Sequence, residues 1–424
     1  MVKTARLKNG ICVIGEENNF VRTISIGIWI RNGSIDEDDS TNGISHFIEH
    51  MIFKGTNKRT ARDIADEMSE VGGRINAFTS KEYMCYYAHV LDNHFGVALD
   101  VLSDMICNST FKEDEIEKEK GVILEEIKMC EDSPEDMVMD ALEHNVWQGH
   151  SLSYNILGTE ENVRKFSRSD MLSYLEKHYI AENMVISVVG KMDFDNILTQ
   201  LEESFSGIKN NKSVERIDNA TYQKSFSAKN KDIEQAHICL AFPSISYESE
   251  KVYMLSILNT IIGGGINSRL FQSIREERGL AYAIYSYPES YKYGGLFNVY
   301  AASSPVQIEE VLIGILDELD KLVKKGFNEK ELNMTKEQIK SNMIIGLESM
   351  SSRMSNYGKS KLILNSIKSQ DEIIKKINEV TLEALIEFSK EILDPLKMSV
   401  SIIGNLEEID IERIEEICKR SKFS

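Results

Sequence analysis

The chain has 424 residues, more than one hydrophobic core normally holds, so two or more domains are expected. Hydrophobic residues at 42% and charged residues at 28% are the proportions of a globular protein and exclude fibrous, low-complexity and disordered classes. The net charge of −19 sets electrostatics against nucleic acid and anionic membrane as partners, and is compatible with a basic peptide.

The first residues, Met1-Val2-Lys3-Thr4-Ala5-Arg6-Leu7, contain no apolar stretch of signal-peptide length. The longest apolar runs, such as Ile26 to Ile30, are strand-sized, so no membrane insertion is expected. The six cysteines (Cys12, Cys85, Cys107, Cys130, Cys239 and Cys418) are dispersed without a C-x-x-C pair. They are expected to be free thiols in a reducing, cytoplasmic setting.

In chain order, residues 6–15 and 22–31 read as strands. An acidic loop, Asp36 to Ser40, leads into Thr41-Asn42-Gly43-Ile44-Ser45-His46-Phe47-Ile48-Glu49-His50-Met51-Ile52-Phe53-Lys54-Gly55. Thr41 and Asn42 are helix-capping types and Gly55 is a C-cap type, while Ile44, Phe47, Ile48 and Met51 form an apolar stripe at helical spacing. A second helix opens at Thr60 with a capping box to Asp63 and stops at Gly72-Gly73. Residues 74–79 and 83–90 read as a hairpin, followed by helices at about 92–108, 112–131, 134–148 and 168–178. Met184 to Gly190 reads as a buried strand, with a helix from Asp193 to about 205.

The stretch His46-Phe47-Ile48-Glu49-His50 carries the chemistry. His46 and His50 are four apart, so both imidazoles project from one helix face, as two nitrogen ligands of one zinc ion require. Glu49 lies on the same side, where a carboxylate can take the proton from a water that attacks a peptide carbonyl. The order H-x-x-E-H is the inverted form of the zinc-peptidase motif. A third ligand is sought on the helix at 112–131, where Glu119 and Glu126 are seven apart and share a face. Glu126 is the candidate ligand and Glu119 would orient a ligating histidine. That helix is crowded with acids, and spacing alone does not separate Glu126 from its neighbours, Glu125 included.

The chain repeats itself. Met184-Val185-Ile186-Ser187-Val188-Val189-Gly190 is echoed 214 residues later by Met398-Ser399-Val400-Ser401-Ile402-Ile403-Gly404. Two similar halves, 1–208 and 232–424, are expected, joined by a polar stretch at 209–231 whose few large apolar residues are Ile217, Tyr222 and Phe226. In the second half, 236–242 reads as a strand and 250–262 as a helix, where the repeat would place the metal helix, but no H-x-x-E-H is present. Gly263-Gly264-Gly265 fits no phosphate-binding spacing and reads as a turn.

With these residues in hand, the chain resembles the pitrilysin family of inverted-motif zinc peptidases over essentially its whole length. The family pattern places a glutamate ligand some 75 residues beyond the motif, with a second Glu seven residues before it. This matches Glu126 and Glu119 in Glu119-Lys120-Gly121-Val122-Ile123-Leu124-Glu125-Glu126-Ile127. The resemblance implies an α+β fold of two homologous α/β-roll domains, one zinc ion held by His46, His50 and Glu126, and Glu49 as general base. It implies that a peptide lies extended on the strand containing Asn76, Ala77 and Phe78, by backbone pairing. It also implies that Arg275 and Tyr282, seven apart, bind substrate from the second half. Family chains of this length pair into dimers of like or related subunits that enclose a chamber. The implied activity is zinc-dependent endopeptidase action on short or unfolded peptides. The alternative is a non-catalytic, peptide-binding or scaffold subunit.

Overall fold

The computed structural model describes residues 2–213 and 220–420. Within the polar stretch 209–231, residues 214–219, Ile217 among them, lie outside the described residues. The strands are β1 (Val2–Arg6), β2 (Cys12–Glu17), β3 (Thr23–Ile30), β4 (Arg74–Thr79), β5 (Met84–Leu91), β6 (Met184–Gly190), β7 (Phe226–Asn230), β8 (Ala236–Ser244), β9 (Ala283–Tyr291), β10 (Gly294–Ser303) and β11 (Ser399–Gly404). They form a six-stranded sheet, β1-β2-β6-β3-β5-β4, and a five-stranded sheet, β7-β11-β8-β10-β9. Each belongs to one of two compact units.

The first unit holds the chain up to Lys128, the chain from Tyr154 into the polar stretch, and Ile345–Ile367. Residues 6–15 are not one strand. The chain turns after Leu7 and returns as a hairpin, β1 pairing with β2 from Val2↔Glu16 to Arg6↔Cys12. Asn9-Gly10 causes the turn. Gly10 sits at φ +102, a left-handed conformation that glycine takes without a Cβ clash. Leu7 N donates to Ile11 O at 3.0 Å across it.

Central strands β3 and β6 are buried along almost their whole length because both sheet faces are covered. One face carries the main helical core, including Ile44, Phe47, Ile48 and Met51 of the motif helix. The other face is covered by the helix Met350–Leu364, from the second half of the sequence. Its Gly358 packs on Trp29: a Cβ there would stand 2.0 Å from the indole Nε1, so the site accepts only glycine without rearrangement. Trp29 Nε1 donates to Ser187 Oγ at 3.0 Å, which satisfies its one buried polar group.

The second unit holds Met129–Ser153, the chain from the end of the polar stretch to Ile344, and the chain from Lys368 onward. β11 runs parallel to β7 and antiparallel to β8, as β6 runs parallel to β2 and antiparallel to β3. The two strands linked by the sequence repeat therefore hold the same topological place. β7 arises inside the stretch read as polar linker, with Phe226 and Ala228 packed against the second core. The helix Pro134–Val146 lies on β8 and β11, where Tyr285 donates to Glu135 and Tyr291 donates to Glu143 Oε1 at 2.9 Å. Each half of the sequence thus gives one helical segment to the unit built mainly from the other half.

Among the described residues no two cysteines are joined in a disulfide. Among the described residues no helix is long and apolar enough to cross a membrane.

Candidate metal centre and catalytic site

The motif helix runs Ile44–Ile52 and buries Ile44, Phe47, Ile48, Met51 and Ile52, so its remaining face presents His46, Glu49 and His50. Its start differs from the expectation. The cap position is Gly43, at φ +99, and neither Thr41 nor Asn42 caps with its side chain. A Cβ on Gly43 would come within 2.7 Å of Leu157 O. The capping role falls to Glu37, in the loop that read simply as acidic. Its Oε2 accepts from Gly43 N at 2.8 Å and Asn42 Nδ2 at 3.0 Å, and its Oε1 accepts from Ser45 N at 2.9 Å. A buried carboxylate on the orphan N–H groups of a helix start satisfies them and opposes the helix dipole favourably. Sequence reasoning missed Glu37 because its role appears only once the loop folds back. The helix also ends earlier than expected, at Phe53, with Gly55 two residues beyond.

The helix Glu113–Asp132 faces the motif helix with Ile116, Glu119, Ile123, Leu124 and Ile127 buried. This orientation brings Glu126 to the histidines. Its Oε2 is 3.8 Å from His46 Nε2 and 3.5 Å from His50 Nε2. Ligand atoms of His46, His50 and Glu126 all lie within 4.8 Å of one another. Tetrahedral zinc with bonds of about 2.0–2.2 Å separates its ligand atoms by about 3.3–3.6 Å. The two carboxylate-to-imidazole separations match that geometry to within about half an ångström, so the three side chains fit zinc. Glu125, the neighbouring acid, instead bonds Lys128 at 2.6 Å.

The histidines are held differently. His50 Nδ1 donates to Glu119 Oε1 at 2.8 Å, leaving the Nε2 lone pair toward Glu126. Glu119 is almost fully buried, and its Oε2 takes Lys54 Nζ at 2.6 Å. Burial opposes the charge on Glu119, but the bonds from His50 and Lys54 outweigh it and hold the carboxyl below its usual range. Burial likewise works against a charged His50, but Glu119, Glu126 and Glu49 together raise it. His46 Nδ1 is buried without a hydrogen-bond partner among the described residues, and the ring packs edge-on to His50 with centroids 4.5 Å apart. Burial and then the charge of His50 bring His46 down to about 3, so it stays neutral, as a metal ligand must be.

Replacing Glu119 with alanine is expected to weaken zinc binding about 10–100-fold while leaving all three candidate ligands in place. Competition against a chromophoric chelator reads this directly. Unchanged affinity would remove Glu119 from the site.

Glu49 takes a hydrogen bond from Thr79 Oγ1 of β4. Burial raises its carboxyl, against the Thr79 bond and the charge of His50, toward the range where a general base works at neutral pH. Asn76, Ala77 and Phe78 lie on β4, at the edge of the six-stranded sheet, with side chains alternating between outward and half-buried. Phe78 packs edge-on to Trp29 at 5.8 Å.

Arg275 and Tyr282 belong to the second unit. Arg275 sits on the π-helical turn Phe271–Glu277, its guanidinium 4.8 Å from the Phe271 ring centroid, and lines a cavity of about 510 Å³ with Asn259, Tyr285 and Ser286. Tyr282 precedes β9, with 66% of its surface exposed and its N–H donated to Ala302 O at 2.9 Å. Gly263-Gly264-Gly265 forms the turn after the helix Val252–Ile262.

Residues 12–160 match the family described as Insulinase (Peptidase family M16), and residues 165–339 match the Peptidase M16 inactive domain. The chain is 42% identical over 408 residues to the uncharacterized zinc protease YmxG of Bacillus subtilis, covering 96% of this chain and 100% of the relative. It is 35% identical over 423 residues to an uncharacterized zinc protease of Streptomyces coelicolor, covering 98% and 92%. Among solved structures, a peptidase M16 inactive domain from Pseudomonas fluorescens superposes with a TM-score of 0.90 at 19% identity, covering 95% of this chain and 98% of that one. A protease from Helicobacter pylori superposes at 0.89 with 20% identity, covering 95% and 99%.

Proposed function

This chain belongs to the insulinase family, peptidase family M16, and is a zinc metalloprotease, and from that premise we propose that it is an endopeptidase for short or unfolded peptides bound in extended form along β4. The observation that carries the reading is the convergence of His46, His50 and Glu126 on one point, next to a Glu49 bonded to the edge strand.

In this reading His46, His50 and Glu126 hold the zinc. Zinc bound there would lower the pKa of a water from about 15.7 toward 7 and polarise the peptide carbonyl. Glu49 takes the proton of the attacking water and passes it to the departing amine nitrogen. Glu119 and Lys54 keep the His50 ring in one tautomer and one orientation. The open edge of β4 holds peptide backbone irrespective of side chain, which suits a broad range of substrates. Arg275 and Tyr282 are proposed as substrate-binding groups of the second unit, and the exposure of both supports this. The net charge of −19 supports a preference for basic peptides.

The test is cleavage of a quenched-fluorescent peptide library by the full chain, before chelation, after it, and after zinc is added back. Chelation is expected to abolish cleavage and zinc to restore it, with basic peptides among the better substrates. Stoichiometric zinc without cleavage of any peptide would refute the proposal in favour of a binding or scaffold role.

A further inference from the structure

The hydrogen bond from Thr79 to Glu49 joins two parts of the site that a peptidase must coordinate. Ser80 N donates to Tyr83 O at 2.9 Å, so the β4–β5 hairpin closes on a hydrogen-bonded pair. Bonded and non-bonded pairs alternate along antiparallel strands, so Phe78↔Cys85 and Asn76↔Tyr87 are bonded pairs. Ala77 and Thr79 therefore turn their backbone N–H and C=O to the open edge. Ala77 N agrees, because its partner is the adjacent Asn76 Oδ1 at 2.8 Å and not β5. Thr79 thus offers its backbone to the edge while its hydroxyl holds Glu49.

Glu49 has a second option open to it. It precedes His50 on a helix whose two histidines converge on the metal position, yet among the described residues the group that brings ligand atoms within 4.8 Å of one another is His46, His50 and Glu126, without Glu49. A buried carboxylate with no other hydroxyl to bond would swing toward the metal and become a fourth protein ligand, filling the position that a catalytic site keeps for water.

We propose that Thr79 is the positioning residue of the catalytic base: its hydroxyl holds the Glu49 carboxylate beside the substrate strand and outside the metal's ligand set. This rests on the peptidase reading above. Thr79→Val keeps the side-chain shape and the β-branching that suits a strand, and removes only the donor. Thr79→Ser keeps the donor.

The experiment uses the full chain in two forms, zinc-loaded for kinetics and cobalt-substituted for visible absorption without peptide. Thr79→Val is expected to lower kcat about 10²-fold, the cost of a misplaced reacting group, with KM unchanged. Its cobalt d–d bands should shift as a further oxygen joins the metal. Thr79→Ser should restore both the rate and the spectrum. In a Glu49→Gln background, Thr79→Val should leave the spectrum unmoved. Wild-type kcat and spectrum in Thr79→Val would overturn the proposal, as would a Thr79→Ser variant as impaired as the valine. If the wild-type chain cleaves no peptide, the endopeptidase reading fails by itself. The cobalt spectrum then decides on Thr79, and identical spectra for wild type and Thr79→Val would sink it.

Discussion

Glu49→Gln is expected to keep its zinc and lose turnover by about 10²–10⁴-fold, the usual contribution of a positioned general base. The amide has nearly the shape of the carboxylate and can still accept from Thr79 Oγ1 through its oxygen. It cannot take a proton from water. His46, His50 and Glu126 are untouched, and the bond of His50 to Glu119 stands on the opposite ring nitrogen. Metal analysis and kcat on one preparation check both halves of the expectation. Near-normal cleavage would mean that another group is the base.

His50→Ala and Glu126→Ala are expected to lose the metal itself. Each removes one of the three proposed protein ligands, and the cost should exceed the about 10–100-fold expected when only an outer partner such as Glu119 is lost. The two variants differ in what they leave behind. His50→Ala strips Glu119 of one of its two cationic or donor partners and keeps Lys54, whereas Glu126→Ala removes a partly exposed carboxylate with no other bond among those described here. Zinc binds the folded chain and so raises its melting temperature in proportion to the logarithm of zinc concentration over Kd. Both variants should melt at a temperature that no longer responds to zinc. A zinc-dependent rise of wild-type size in either would exclude that residue from the ligand set.

The metal helix was readable because its signal is local. Ligands four apart on one helix face follow from helix geometry alone, and the apolar stripe fixes which way that face points. Glu126 was not readable by that route. Seven residues from Glu119 and surrounded by other acids, it is singled out only when Ile116, Ile123 and Ile127 turn one side of its helix inward. The resemblance to a known family supplied what spacing could not. The remaining differences are tertiary or turn effects. Glu37 caps a helix six residues downstream by folding back on it. Asn9-Gly10 splits an apparently continuous strand because glycine tolerates the left-handed turn and the flanking apolar residues mask it. The strand repeat located β6 and β11 correctly because buried central strands read as uninterrupted apolar runs. It gave no hint that two helices would be exchanged, since an amphipathic helix does not encode which sheet it will cover.

That exchange bears on how the gene could be cut. A break in the polar stretch after residue 208 would release a front fragment that carries Pro134–Val146 without the sheet it covers. The same fragment would expose Trp29, Ile14 and Val185, the cluster that Met350 and Met354 close from the rear fragment. Neither fragment has a complete interior, so the halves are not independent building blocks despite the strand repeat they share in sequence. Separately produced fragments should be sticky and should regain order only when mixed. For the same reason a swap of one half between relatives would succeed only if the travelling helix and its host sheet moved together.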